Sequence, residues 1–316
     1  MLISTESSKH LSELLLNERV KDIYCNGLHL SAKWFAFSQV AAKGVHLIVM
    51  QDKESAEYCA ADLYNLIDGD KVFYLPESGT SVERSNYKAS LGVQRTSAVG
   101  KIIDYSSSDD LLVIVTYPES LLEFIPDTNE IKDSLIHISK GDEIGYEKII
   151  EVLNSNGFIR EDFVSRPGQY AVRGYIIDVF SYSMNEPVRI SFWGDEIDNL
   201  HIFDCNTQIS KSEIEDVDIY SDIVASSDKN DVNYISIGSI IPDNAVVWYD
   251  TFDMYSDKDF ISEFEQFKKV YLKTPISLFN KVDQIDFNIS PQPVFNKNYE
   301  LLSADIDSHI RSGYKV

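Results

Sequence analysis

The stretch GQYAVRGYIIDVFSYSMNEPVRISFWGDEIDNLHIFD (168–204) carries the clearest fold signal in this chain. Two runs of aromatic and β-branched residues flank SMNEP (183–187), whose Ser, Asn and Pro supply turn chemistry, so an antiparallel hairpin is predicted. DEIDNLHIFD (195–204) predicts a third strand. Just before them, EKIIEVLNSNGF (147–158) is typical of a helix ended by Gly157. Together these segments predict a small α+β module.

On the amino-terminal side of this module, apolar runs alternate with amphipathic segments. GVHLIVMQD (44–52) is a continuous apolar run, as a buried parallel strand requires, and 53–67 has a helical stripe. Strands are also predicted at 71–78 and from 110 through Val115, the latter followed by a helix with Leu121, Leu122 and Ile125 on one face. The polar segment 79–109 is expected to be irregular or partly helical. The alternation indicates a parallel sheet covered on both faces.

Beyond the module, an acidic, linker-like stretch after 205 precedes DNAVVWYDTFD (243–253), a predicted buried strand ending at Asp250. The following segment, 257–272, places Phe260, Phe264 and Phe267 on one predicted helical face. A last helix is predicted from 298 to Gly313, and the closing GYKV is expected to begin a strand.

Charge and composition exclude several classes of function. The formal net charge of −23 argues against a surface that coats DNA, although four of the eight arginines fall between 160 and 189. Three distant cysteines favour a reducing cytoplasm, and six scattered histidines lack metal-ligand spacing. The chain has no apolar run of about 18 residues and no signal-peptide pattern, so the expected location is cytoplasmic.

The segment GLHLSAKW (27–34) resembles a damaged phosphate-binding loop. Gly27 and Lys33 stand at the loop's expected positions, but Ala32 replaces its second glycine and Trp34 replaces the hydroxyl residue that holds Mg²⁺. The best acidic strand end offers Asp250 followed by Thr251 rather than an Asp-Glu pair. We therefore expect a vestigial nucleotide loop, a vestigial acidic motif and no ATP hydrolysis; an ordinary loop-to-helix start is the open alternative.

Residues 157–210, from GFIREDF through VRGYIIDVF to FDCNTQIS, resemble the amino-terminal region of the bacterial transcription-repair coupling factors. The family pattern runs through Val-Arg-Gly, Ile-Ile-Asp, Pro-x-Arg-Ile, Gly-Asp-Glu-Ile-Asp and Phe-Asp-x-x-Thr-Gln-x-Ser. This chain departs from it at Tyr175, Ser181 and Trp193, where Gly, Pro and commonly Phe occur. The excision-repair protein UvrB shares the module, and the resemblance extends weakly over the whole chain.

The resemblance implies an α/β fold of degenerate RecA-like, UvrB-like parallel-sheet subdomains with an inserted α+β module. The expected divisions are a first subdomain at 1–118, a module binding the damage-recognition protein UvrA at 119–208, and a second subdomain at 209–316 that is truncated at its end. The implied function is non-catalytic recruitment of UvrA to stalled RNA polymerase. ATP, Mg²⁺, RNA polymerase and DNA would be engaged by a translocase elsewhere in a full-length protein, with no cofactor in this chain.

The family match assigns UvrA contact to Arg160 and Arg173, with Phe180 as an apolar neighbour and Arg166 and Arg189 as weaker candidates. A guanidinium is suited to this because its planar fork binds carboxylates and arginine is enriched in interface hot spots.

The orientation of Arg173 is open in the sequence. Strand alternation puts Arg173 on the face of Ile177 and Val179 unless Gly174 breaks the register. In the alternative interpretation the arginines form ordinary ion pairs with Asp178, Glu186 or Asp195. FWGDEID (192–198) is expected to be a polar turn rather than a carboxylate catalytic site. The alternative function is a nucleotide-dependent, UvrB-like protein that processes DNA damage.

Overall fold

A computed structural model describes residues 5–78, 86–105, 110–223, 233–251, 263–272, 283–287, 289 and 293–313. Phe260 and the closing residues 314–316 lie outside this range. The helices are α1 Thr5–Leu16, α2 Ala32–Val40, α3 Lys53–Leu66, α4 Asn86–Asp104, α5 Pro118–Leu121, α6 Thr128–Ser134, α7 Tyr146–Ser155 and α8 Tyr299–Arg311. None of these described helices is both long and apolar enough to cross a membrane.

The strands of the described residues form two main sheets and two small pairs. They are β1 Asp22–Asn26, β2 Gly44–Val49, β3 Val72–Tyr74, β4 Leu111–Thr116, β5 Phe124–Pro126, β6 Ile136–Ser139, β7 Ile159–Arg160, β8 Gln169–Arg173, β9 Ile176–Val179, β10 Val188–Trp193, β11 Glu196–Phe203, β12 Ser210–Ile214, β13 Asp216–Ile219, β14 Tyr234–Ser236, β15 Val246–Tyr249, β16 Lys268–Tyr271 and β17 Asp283–Asp286.

The larger sheet has seven parallel strands in the order β17-β1-β16-β15-β2-β4-β3. Its central strands are almost wholly buried because helices cover both faces. Residues of α1, α2 and α3 form the core on one face, whereas α4 contributes Ala98, Val99 and Ile102 to the other. The prediction of an α/β fold with a helix-covered parallel sheet is confirmed.

Strands from both ends of the chain interleave in this sheet. β15 and β16, which follow the module, lie between β1 and β2, which precede it. The segments predicted as two subdomains, 1–118 and 209–316, therefore contribute to one hydrogen-bonded sheet.

The inserted module is built on a six-stranded sheet in the order β12-β11-β10-β9-β8-β7. Neighbouring strands are antiparallel except for β7 and β8. α7 covers one face through Ile149 and Leu153. The β6–β13 pair joins the start of the module to its end, with Ser139 opposite Asp216. The hairpin predicted around SMNEP is confirmed as β9 and β10.

The segment 79–109 is partly helical, as expected, because it contains α4. Three other local expectations are wrong. Ile125 lies on β5, paired with β14, rather than on a helical face. The acidic stretch after 205 forms β12 and β13. Lys268–Tyr271 is a strand, although Phe264 and Phe267 have helical spacing, because it fills the position between β1 and β15.

Candidate partner-binding surface

A two-residue turn between β8 and β9 decides which way Arg173 faces. Arg173 pairs with Ile176, and Ala171 pairs with Asp178, so the turn consists of Gly174 and Tyr175. Gly174 has φ 61°, which suits the first position of a tight hairpin turn. Directly paired residues share a sheet face. Arg173 therefore lies on the face of Asp178. It does not lie on the face of Ile177 and Val179, where uninterrupted strand alternation would place it. We call this side of the six-stranded sheet, with Ala171, Arg173, Ile176, Asp178 and Arg189, the Arg173 face.

On the Arg173 face, two guanidinium groups share the carboxylate of Asp178. The fully buried Asp178 accepts hydrogen bonds from Arg189 Nε at 2.7 Å and Arg189 Nη2 at 2.9 Å. Arg173 Nη2 donates to the second oxygen, Oδ2. The hydrogen bond to Asp178 raises the pKa of Arg189. Arg173 and Arg189 thus form ion pairs with Asp178, as the alternative interpretation of the arginines expects. The Arg173 side chain is nevertheless 38% exposed.

Aromatic rings extend this charged cluster toward the surface. The Arg173 guanidinium lies 5.1 Å from the ring centre of Phe163, and the Arg189 guanidinium lies 4.5 Å from that of Phe203. Phe203 is buried, whereas Phe163 is 59% exposed, and Ile159 on β7 is exposed as well. Neither Phe163 nor Ile159 is among the site residues predicted from the sequence. The available signal was the presence of two apolar residues in the otherwise polar run IREDF.

The remaining candidates occupy different positions. Arg160 lies on the edge strand β7 beside Tyr170, whose side chain belongs to the core under α7. The register thus places Arg160 on the opposite face from Arg173, at an exposed edge, with no hydrogen-bond or ion-pair partner among the described residues. Arg166 is exposed in the segment before β8. Phe180 is 6% exposed and lies in a small apolar cluster with Val164 and Ala171 of the Arg173 face.

Gln169 orders the segment that carries Arg166. Its Oε1 accepts from the backbone N–H of Ser165 at 3.0 Å, from the Ser165 hydroxyl at 3.1 Å and from the backbone N–H of Arg166 at 3.1 Å. Gln169 is itself buried. The segment before β8 is therefore anchored through a buried amide.

In the loop at 27–34, the lysine binds a carboxylate of the protein. Lys33 Nζ donates to Asp250 Oδ1, and both side chains are largely buried. Gly27 has φ 74°, Ala32 begins α2, and Trp34 is buried in the core. The two residues expected to be vestigial nucleotide ligands thus neutralise each other where α2 begins and β15 ends.

Ser139, His137 and Asp218 are hydrogen bonded in the order of a nucleophile, a base and an orienting acid. His137 Nδ1 lies 2.7 Å from Asp218 Oδ1, and Ser139 Oγ lies 3.1 Å from His137 Nε2. The hydrogen bond to Asp218 raises the pKa of His137. However, the backbone N–H of Ser139 donates to Asp142 and that of Lys140 donates to a carbonyl, so neither is free to stabilise an oxyanion. We interpret the cluster as a cross-strand surface network between β6 and β13.

The carboxylates of FWGDEID lie on the exposed turn at Asp195 and on the start of β11. Gly194 has φ 66° between β10 and β11, and Asp195, Glu196 and Asp198 are exposed, as expected for a polar turn. Among the residues that the structure describes, no group of three or more His, Cys, Asp or Glu side chains is arranged to hold a metal ion.

Comparison with known proteins gives one family match and several relatives. Residues 136–223 match a model described as the UvrB interaction domain, a range that overlaps the predicted module 119–208 without sharing its bounds. The chain is 32% identical over 189 residues to a transcription-repair-coupling factor of Mycobacterium tuberculosis, covering 58% of this chain and 15% of the relative. It is 28% identical over 196 residues to the factor of Staphylococcus aureus (strain bovine RF122 / ET3-1), covering 61% and 16%. Over a shorter stretch of 79 residues, identity to the factor of Staphylococcus aureus (strain MRSA252) is 42%, covering 25% of this chain and 7% of the relative.

The resemblance to the amino-terminal, UvrB-homologous region of the coupling factors is thus confirmed. The chain spans about a sixth or less of the length of these relatives.

Proposed function

We propose, from the UvrB interaction domain found at residues 136–223, that this chain is a non-catalytic platform that binds UvrA. In this proposal it acts in the cytoplasm as part of a longer transcription-repair coupling factor. It recruits UvrA to stalled RNA polymerase, while other parts of that protein hydrolyse ATP and engage RNA polymerase and DNA. The observation that carries the proposal is the module match. The partly exposed guanidinium of Arg173, backed by the exposed ring of Phe163, provides the contact chemistry.

The chemistry of the Arg173 face is suited to a protein partner. Arginine and aromatic side chains dominate interface hot spots, and a guanidinium already stacked on a ring loses little freedom on binding. Arg173 can donate hydrogen bonds to a carboxylate of the partner, because Arg189 already donates two hydrogen bonds to Asp178. Arg160 and Arg166 add positive charge at the neighbouring edge and loop.

The test is UvrA binding by the double variant Arg160→Ala/Arg173→Ala, measured by gel filtration and isothermal titration calorimetry. We expect a loss of affinity of at least about 30-fold, as for truncation of interface hot spots. The melting temperature should remain nearly unchanged. Arg19→Ala is the matched control, since Arg19 is exposed near α1, outside the module. Full binding by the double variant would refute the site.

The alternative of a nucleotide-dependent, UvrB-like protein requires nucleotide to bind at Lys33. The Lys33–Asp250 pair opposes this, because a phosphate would have to displace a largely buried carboxylate. Titration with a fluorescent ATP analogue and Mg²⁺ should therefore give no saturable binding. Micromolar, Mg²⁺-dependent binding that is lost in Lys33→Met would favour the alternative.

A further inference from the structure

The exposure of Trp193 sets it apart from the other tryptophans of the chain. Trp34 and Trp248 are 4% and 1% exposed, as expected for large apolar side chains in a core, whereas Trp193 is 81% exposed. It lies at the end of β10, and within the described residues its ring makes no aromatic or cation–π contact. A solvated tryptophan on an ordered strand contributes little to folding, but this residue type is the most enriched in interface hot spots.

The strand register places Trp193 on the Arg173 face. Arg173 is opposite Ile176, and Ile176 is opposite Ser191, so these three residues form one row across β8, β9 and β10. Phe192 faces the core under α7, hence Ser191 and Trp193 share the other side of β10. Two strand spacings and two residues of rise separate Arg173 from Trp193 by about 12 Å. A standard interface of about 800 Å² per partner, roughly 30 Å across, covers both residues.

Three carboxylates follow Trp193 in the chain. Asp195 is on the turn, with its carboxylate beside Gly145 at the start of α7, whereas Glu196 and Asp198 are on β11 and Glu196 is directly opposite Trp193. Asp195, Glu196 and Asp198 are exposed, and Asp195 and Asp198 have no ion-pair partner among the described residues. The backbone of the turn is fixed, since the Phe192 N–H donates to the Tyr175 carbonyl at 2.9 Å and the Ile197 N–H donates to the Asp142 carbonyl at 2.9 Å. The indole is therefore presented at the end of an anchored strand, opposite Glu196.

This charge arrangement selects the kind of partner. Bases of nucleic acids also stack on exposed indoles, but the exposed Glu196 carboxylate, directly opposite Trp193 in the strand register, repels a phosphate backbone. A protein surface with an apolar pocket and adjoining Lys or Arg side chains complements both the ring and this carboxylate.

We propose that Trp193 is an anchor of the same partner surface, inserted into an apolar pocket of UvrA that is rimmed by basic side chains. This inference rests on the proposed function and extends it. The surface is bipolar: Arg173 meets acidic groups of the partner, while Trp193 and Glu196 meet an apolar and basic region.

The first test compares the affinity of UvrA for Trp193→Ala, Trp193→Phe and Tyr58→Ala. We expect Trp193→Ala to weaken binding about 30-fold and Trp193→Phe to retain most of it, because Phe keeps an aromatic ring for the pocket. Tyr58, an exposed aromatic on α3, is the matched control and should bind as the parent does. Thermal melting should be unchanged in all three variants, since both side chains are solvated.

The second test removes the carboxylate opposite Trp193 in Glu196→Gln and measures association with UvrA at several salt concentrations. Loss of complementary charge should slow association and flatten its salt dependence. Faster association, as expected if the partner surface here were acidic, would overturn the assignment.

The outcomes separate the two proposals. If Arg160→Ala/Arg173→Ala abolishes UvrA binding while Trp193→Ala binds normally, the anchor is refuted and the docking function stands. Normal binding by both variants refutes both. Weakened binding of a single-stranded DNA oligonucleotide, with UvrA binding intact in Trp193→Ala, assigns the ring to nucleic acid and also refutes the anchor.

Discussion

At the residue scale, Asp178 is the charge on which the module's arginines depend. It is fully buried, and its two oxygens are satisfied by Arg189 and Arg173. A buried carboxylate is tolerated only when it is paired and hydrogen bonded. The pairing is asymmetric, because Arg189 is largely buried whereas Arg173 reaches solvent. Asp178 and Arg189 thus form the structural pair, and Arg173 is the member that can turn toward a partner.

We predict that Asp178→Asn lowers the free energy of unfolding by about 3 kcal/mol, since it leaves the largely buried Arg189 without its counter-ion. Arg173→Ala should cost less than about 1 kcal/mol, because Arg189 continues to neutralise Asp178. Urea denaturation followed by circular dichroism measures both. Equal losses in the two variants would contradict this division of roles and would also confound the use of Arg173→Ala as a binding probe.

At the scale of elements, the Lys33–Asp250 pair links the first turn of α2 to the end of β15. In a working motor, nucleotide and Mg²⁺ occupy the space between such a loop and such a strand end. Here a direct ion pair joins the two elements, and Trp34, at the position expected for an Mg²⁺ ligand, packs into the core.

We predict that Lys33→Met destabilises the fold by about 3 kcal/mol because it leaves the Asp250 carboxylate buried and uncompensated. The double variant Lys33→Met/Asp250→Leu should recover most of that loss, since neither charge remains to be desolvated. Thermal and urea unfolding of the two variants provide the comparison. A double variant as unstable as the single one would mean that the pair holds α2 against β15 through its geometry rather than through compensation of charge.

At the scale of the whole molecule, the two sheets differ in how they are assembled from the chain. The six-stranded sheet, with the β6–β13 pair, comes from one continuous stretch, 136–219. The seven-stranded sheet needs strands from both sides of that stretch, because β15 and β16 lie between β1 and β2.

We predict that a fragment of residues 136–223 folds alone, whereas a fragment of residues 1–135 does not. The first retains its own core around α7. The 1–135 fragment lacks β15 and β16. Without β16, β1 is not linked to the rest of the sheet, and without β15, one side of β2 is unpaired. Dispersion of amide resonances and cooperative thermal unfolding distinguish the outcomes. A cooperatively folded 1–135 fragment would show that the first segment is an independent subdomain.

The sequence by itself determined the classes of structure and the resemblance to the coupling factors. Apolar runs specified the central strands, turn residues specified the hairpin around SMNEP, and the ordered pattern through 157–210 pointed to the UvrB-related module. These features are local, because side-chain periodicity and turn chemistry act within a few residues. Local periodicity gave the wrong prediction at 268–271. The helical spacing of Phe264 and Phe267 predicted a helix there, but the segment is a strand that pairs with β1 and β15.

Only the tertiary structure decided which charged groups meet. Lys33 and Asp250 are 217 residues apart, and the sharing of Asp178 by two arginines depends on hairpin register. A single residue more or fewer in the turn at Gly174 would move Arg173 to the other face, because strand side chains alternate with period two. The same register places Trp193 on the Arg173 face. Periodicity over a few residues does not predict that arrangement, because it depends on how three strands are paired.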